Sequence, residues 1–279
     1  MTASGTNSMS YISEKNQMGK PGISFIGAGK VASALCSELH GSGYKIIRIV
    51  SKTEESCRPL AESCDASWSM VPDFEADTDL IMMAVPDDKI RIITNGIKCN
   101  RKTIIAHTAG SVGLDVFPHL YRHVGVFYPL QTFTQGRKIR FGEIPFFIEG
   151  SDDATTSLLS GLAESLGSNV HFTDEKSRRM LHLSAVFVNN FINHLLVSGK
   201  EIASMAGFNF EVLIPLLNET VMKAIEKGPE NSQTGPAVRS DLETIKSHIK
   251  LLSFSPDLQS IYRDVTDSIM SFHKKNIND

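Results

Sequence analysis

Short apolar runs, each closed by glycine, proline or a polar turn, recur through the first 173 residues. Runs 22–27, 44–50, 79–85, 103–106, 124–127, 145–148 and 169–173 read as strands, with a further short strand near Trp68. Run 79–85 is almost continuously apolar, as expected of a strand covered on both faces. Helical spacing fills the intervals 29–41, about 54–64 and 152–166. Another helix runs from the Pro86-Asp87-Asp88 turn to Gly96, with Asp87 or Asp88 as its cap. Strand and helix alternate, which predicts an α/β fold built on a doubly wound, mainly parallel sheet with right-handed crossovers.

Beyond Thr173 the period changes. Residues 174–206 contain no proline, and only Gly199 interrupts them, so they can form one helix about 50 Å long at ~1.5 Å per residue. Its middle, residues 183–196, is apolar nearly all round and is expected to be buried on all sides. A second subunit is the simplest cover, so a homodimer through this region is expected. Further helices are read at about 210–227, 239–252 and 257–275. The chain thus divides into a leader (1–20), an α/β domain (21–173) and an all-α domain (174–279).

Composition narrows the function classes. The 279 residues are 41% hydrophobic and 21% charged, with a net charge of -3, which gives no electrostatic case for nucleic acid. Cys36, Cys57, Cys64 and Cys99 show no C-x-x-C spacing, so neither a zinc site nor a disulfide framework is expected. They read as thiols of a reducing, cytoplasmic compartment. No uninterrupted apolar run reaches the ~20 residues that cross a bilayer, and residues 1–20 lack the apolar stretch of a secretory signal. No membrane partner is expected.

The candidate chemistry begins at Gly27-Ala28-Gly29-Lys30-Val31-Ala32, a G-x-G-x-x-A turn between the first strand and the first helix. Gly27 permits the sharp turn, Gly29 lets a pyrophosphate approach the backbone, and Ala32 lets the helix pack on the strand. The helix N–H groups then face an anion. In that context the motif predicts dinucleotide binding; a tight turn that binds nothing is the bland alternative. The second strand ends in Val50-Ser51-Lys52-Thr53, with no acid to hold ribose hydroxyls. Two hydroxyls and a cation suit a 2′-phosphate, which favours NADP over NAD.

Several motifs together resemble one family: the Gly27–Ala32 turn, Ala84-Val85-Pro86-Asp87-Asp88, His107-Thr108-Ala109-Gly110, Phe147-Ile148-Glu149-Gly150, Leu181-His182 ahead of Asn189-Asn190-Phe191, and Gly235-Pro236-Ala237-Val238-Arg239-Ser240-Asp241. They look like the Rossmann-like proteins with a C-terminal domain of unknown function. That group is similar to pyrroline-5-carboxylate reductase and to the deazaflavin-dependent NADP oxidoreductases. The resemblance covers about residues 22–252. It implies that Ala84, Val85 and Pro86 lie along the cofactor, with Thr108 at the next strand end, and that the substrate sits between the domains.

Hydride transfer also needs a proton donor or acceptor at the substrate heteroatom. His182, Asn189 and Asn190 share a helix face at offsets of seven and eight, with His182 as candidate donor and helix packing as the alternative. The 3-hydroxyacid dehydrogenases carry a catalytic lysine one turn before the paired asparagines, where this chain has Val186, which argues against their mechanism. His107 could touch nicotinamide or substrate, or be a loop histidine bonded to backbone. Tyr128 could bind substrate or pack. Arg239 could clamp a carboxylate, or pair with Asp241 beside a helix cap at Ser240 or Asp241. His119 and His123 read as a solvated face, so no metal is expected. The leading expectation is an NADP-dependent oxidoreductase acting on a small carbonyl or imine compound. The alternative is a non-catalytic NADP-binding sensor or partner-binding dimer.

Overall fold

The computed structural model describes residues 19–275, so the expected leader lies almost wholly outside the described residues. Eight strands form one sheet: β1 (Ile23–Ile26), β2 (Ile46–Val50), β3 (Ser67–Ser69), β4 (Leu80–Met83), β5 (Ile104–His107), β6 (Val124–Pro129), β7 (Phe146–Gly150) and β8 (Val170–Phe172). Their order is β3-β2-β1-β4-β5-β6-β7-β8. Helices α1 (Lys30–Gly41), α2 (Glu54–Ser63), α3 (Asp87–Thr94) and α4 (Asp153–Ser165) connect or flank them. Every pairing is parallel except β6 with β7. Between those two strands lies only a 3₁₀ turn, Phe141–Glu143, and no crossover helix, so the chain returns antiparallel.

Both faces of the sheet are covered, as run 79–85 suggested. On β4, Leu80 and Met82 join one hydrophobic cluster while Ile81 and Met83 join the other. That is the two-residue alternation of a strand buried on each side. The edge is different: β3 leaves Trp68 partly exposed. Cys36 of α1 and Cys64 at the end of α2 touch, Sγ to Sγ at 3.2 Å, and all four cysteines are free thiols.

Asp152 caps α4, accepting from the Thr155 N–H at 2.9 Å and lying 3.0 Å from His123 Nδ1. Burial alone would push its carboxyl up. The Thr155 N–H, His123 and the Thr155 and Ser151 hydroxyls outweigh that and hold it far below the usual carboxylate range. The folded state therefore favours the charged form. The resulting stabilisation is present above the unfolded pKa of ~3.9 and is lost as pH falls below it. Asp152→Ala is expected to cost about 1 kcal/mol at neutral pH, with the gap to the parent protein beginning to narrow in urea melts as the pH is lowered from 5 to 3. His123 is thus a partner to a cap, and no group of metal-ligating side chains occurs among the described residues.

The chain folds into two compact units, one ending at Phe187 and the other beginning at Val188. The division falls inside the long helix, not at its start near 173. The physical reason is that the first turns of this helix are bonded into the sheet unit, through Arg178 and His182 as described below. The helix comprises α5 (Glu175–Ala185), a π-helical stretch (Val186–Phe191) and α6 (Ile192–Met205). Bonds in the π stretch run i→i+5, so the seven- and eight-residue offsets counted for an α-helix do not hold across it. Asn189 and Asn190 lie in this stretch and are exposed.

The single chain does not itself bury this helix, and the cover expected for it was a second subunit. Within the single chain its apolar residues are largely exposed, Phe187 by 59% and Val188 by 69%. The helix has the expected extent, Glu175–Met205, and with a mean hydropathy of 1.3 in its most apolar window it is, by length and composition only, long and apolar enough to cross a membrane. Counting only unbroken apolar runs missed this, because Asn189, Asn190, Asn193 and His194 punctuate the stretch without adding charge.

The second unit continues with α7 (Ile214–Lys227), α8 (Leu242–Leu251) and α9 (Pro256–Lys275). Helix α8 starts at 242, not 239, because Asp241 caps it by accepting from the Thr244 N–H at 3.1 Å. Residues 236–240 form the preceding turn, with Ser240 at φ 52°.

Candidate active site

Strand order reverses at β1, which lies between β2 and β4. Ligands of open α/β sheets bind outside the carboxyl ends of the strands at such a point. A groove of about 420 Å³ opens there, lined by Gly27, Ala28 and Gly29 from the first turn, Val50, Ser51 and Lys52 after β2, and Ala84, Val85 and Pro86 after β4. Eight residues expected to meet a cofactor line it: Gly27, Ala28, Gly29, Ser51, Lys52, Ala84, Val85 and Pro86.

The turn has the build that a pyrophosphate requires. Gly27 sits at φ +107°, and a Cβ there would lie 2.2 Å from the Ala84 carbonyl oxygen, so only glycine fits. Gly29 is the opposite case: a Cβ there would meet nothing within 4 Å and would project into open space. Gly29 is also the N-cap of α1, with no side-chain cap and no acidic residue in the first turn. Uncapped amides at the positive end of a helix beneath an open space fit an anionic bridge.

Four expected cofactor residues are placed elsewhere. Lys30 lines a separate groove with Ser33, Ser37 and the 134–139 loop. Val31 is half-buried and packs on the sheet cluster. The Thr53 hydroxyl lies 3.1 Å from that of Ser56. The Thr108 hydroxyl turns back towards the Met83 carbonyl at 3.4 Å. Conversely, Met70, Pro72, Lys89 and Ile93 line the groove and were not foreseen. Lys89 and Ile93 are i, i+4 on α3, so the helix read after Pro86 could have revealed them. Pro86, not Asp87 or Asp88, is the N-cap of α3. Asp87 instead accepts from the Ser111 hydroxyl, and Asp88 pairs with Lys89 at 2.5 Å.

The next strand ends carry the polar chemistry. Tyr128 at the end of β6 is buried, and its hydroxyl lies 3.1 Å from Nδ1 of half-buried His182 on α5. Burial first, and the Asp87 charge second, push the Tyr128 hydroxyl above its ordinary value. Gly110 makes room for the pair: a Cβ there would lie 2.6 Å from Tyr128 Cζ and 2.8 Å from His182 Nδ1. Thus two separately read candidates meet over a glycine that belongs to the third motif, His107–Gly110.

His107 itself is withdrawn from the chemical candidates. It has no exposed surface, stacks on Phe117 at 5.6 Å, and accepts from the Ala109 N–H at Nδ1. Burial, helped by the nearby Arg178 charge, brings its pKa down to about 4, so it is neutral and structural at pH 7. A side chain sealed in this way meets neither nicotinamide nor substrate.

Arg178 went unnoticed in the sequence. It is completely buried, bonds the Glu149 carboxylate of β7, and donates to the Val112 carbonyl. Its neighbour Arg179 donates to the Ser111 carbonyl at 2.8 Å. Together they fix the 110–113 loop, whose Gly110 packs against the Tyr128–His182 pair. Arg239 lies exposed in the turn before α8, where its charge helps hold the Asp241 carboxyl low, after the Thr244 bonds. The cap reading of that motif therefore stands.

Residues 5–130 match a family described as a Rossmann-like domain, and residues 144–269 match a domain of unknown function, DUF2520. No curated protein matches the chain. A Bacteroides fragilis protein named "putative NADP oxidoreductase" is 34% identical, with a TM-score of 0.81 over 90% of this chain and 98% of that one. A Thermotoga maritima protein is 20% identical, with a TM-score of 0.75 over 90% and 99%. A pyrroline-5-carboxylate reductase from Streptococcus pyogenes shares the fold at 15% identity and a TM-score of 0.56, over 90% and 98%. The chain belongs to the family that joins a Rossmann-like domain to a DUF2520 domain, the group its motifs resemble.

Proposed function

We propose that the protein is an NADP-dependent oxidoreductase acting on a small carbonyl or imine compound. The observation that carries this reading is the Gly27–Gly29 cradle beneath an uncapped helix, with the Tyr128–His182 pair in the same unit. The bound nicotinamide would supply or take the hydride. Ser51 and Lys52 are the groups we assign to the 2′-phosphate, with Lys89 as a second cation lining the groove. Lys52→Ala is expected to weaken NADPH binding about tenfold and to leave NADH binding nearly unchanged, read by nucleotide fluorescence titration.

His182 is the assigned proton donor, and Tyr128 orients it. When the Tyr128 O–H donates to Nδ1, the imidazole carries its proton on Nε2, free to be given to a substrate heteroatom. Tyr128→Phe removes that bond and keeps the ring. It is expected to lower kcat about tenfold with little change in KM or in melting temperature, while His182→Ala lowers it further. Asn189 and Asn190 remain catalytic candidates beside His182. Arg239 stays the candidate for a substrate carboxylate, and Arg239→Lys is the variant that tests it. The exposed apolar face of α5–α6 supports a homodimer of cytoplasmic chains through the helical unit, which light scattering on the purified protein tests. The whole reading fails if micromolar protein leaves NADPH fluorescence unchanged. Binding without turnover across a broad panel of ketoacids and imines would favour the sensor reading.

A further inference from the structure

The helical unit contains a cavity of its own, about 420 Å³ in volume, walled by α6, α8, α9 and the 234–237 turn. That size falls within the ~300–1,000 Å³ range of small-molecule sites. Its walls are chiefly aliphatic, with Ile202, Leu252 and Ile269 among them, and no Lys, Arg, Asp or Glu lines it. Ser198, Thr234 and Thr266 add hydroxyls to the wall, and a bonded polar pair is set in it. His248 Nδ1 on α8 lies 2.8 Å from the Tyr262 hydroxyl on α9, with the rings edge-to-face at 5.7 Å.

That pair offers a donor whichever way its proton lies. If the Tyr262 O–H donates to Nδ1, the imidazole carries its hydrogen on Nε2. If Nδ1–H donates to the phenol oxygen, the Tyr262 hydrogen is left free. The Gly235–Asp241 motif builds the site around this pair. Gly235 turns the chain at φ +111°, so that Pro236 and Ala237 reach the cavity wall. Asp241 then fixes the start of α8, and His248 follows two turns later.

We propose that this cavity binds a small, mostly apolar molecule through a carbonyl or carboxylate oxygen that accepts from the His248–Tyr262 pair. A largely aliphatic wall with a paired imidazole and phenol donor suits such a ligand. A pure hydrocarbon would displace water from the pair without replacing its hydrogen bond. The inference rests on the helical unit alone and does not depend on the nucleotide reading.

The test is calorimetric titration of the full chain with octanoate and, separately, with 2-octanone. Saturable binding of one probe molecule per chain is expected, and the ratio of the two affinities tells a carboxylate site from a carbonyl site. His248→Leu combined with Tyr262→Phe is expected to weaken binding about tenfold or more. Ile202→Trp, which adds bulk to the cavity wall on α6, is expected to abolish it. Both variants should bind NADPH as the parent does, so a failure of the nucleotide reading would be seen separately. The proposal is overturned if the folded chain shows no saturable binding of either probe at millimolar concentration, as when a second copy closes the cavity. Binding that both sets of substitutions leave unchanged, with the probe held elsewhere on the exposed apolar surface, also overturns it.

Discussion

Gly29→Val is expected to abolish NADPH binding and leave the fold intact. The two glycines of the first turn do different work, and the structure separates them. A side chain at Gly29 meets no protein atom within 4 Å, so it strains nothing. It would, however, stand over the uncapped amides of α1, where a pyrophosphate must come close. The expected loss of affinity is at least about 100-fold, which corresponds to about 2.7 kcal/mol. The melting temperature should move by no more than a few degrees. Gly27→Ala is the control with the opposite signature. Its Cβ would collide with the Ala84 carbonyl at a backbone angle that L-residues resist, so stability should fall by about 2 kcal/mol or more. Paired measurements of Tm and nucleotide affinity read both outcomes. A Gly29→Val protein that binds NADPH like the parent would remove the basis of the oxidoreductase reading.

What the sequence disclosed follows from the range of the interactions involved. Apolar runs and a glycine turn are local signals, and they located all eight strands, the first four helices and most of the lining of the groove at the β1 strand end. Residues brought in by tertiary packing were less visible. Met70 and Pro72 reach the groove only because β3 pairs beside β2, which no local pattern announces. His107 sits at a strand end, where exposure is the ordinary expectation, yet Phe117 from a later segment seals it. The π turn at Val186–Phe191 has no composition of its own and shifts the helical phase that offset counting relied on. Tyr128 and His182 were each read as ambiguous, since 54 residues separate them. Their meeting over Gly110 is a fact of the fold.

The Arg178–Glu149 pair should be the most stability-critical contact near the site. Arg178 is 0% exposed, and the Glu149 side chain is 20% exposed. Removing the guanidinium leaves a carboxylate facing a low-dielectric interior without its partner. Such losses cost about 3–5 kcal/mol, far more than an exposed ion pair is worth. Arg178→Met is therefore expected to lower unfolding free energy by about that amount in urea melts. It also frees the Val112 carbonyl and loosens the 110–113 loop, so kcat should fall more than KM changes. The double variant, Arg178→Met with Glu149→Leu, separates the two effects. With no charge left stranded, most of the lost stability should return, because replacing both members of a buried pair with apolar groups is often near neutral. Activity should not return with it, since the Val112 carbonyl still lacks its donor. Recovery of both together would mean that the pair serves only to balance charge. Recovery of stability alone would identify Arg178 as the residue that positions the 110–113 loop against the Tyr128–His182 pair.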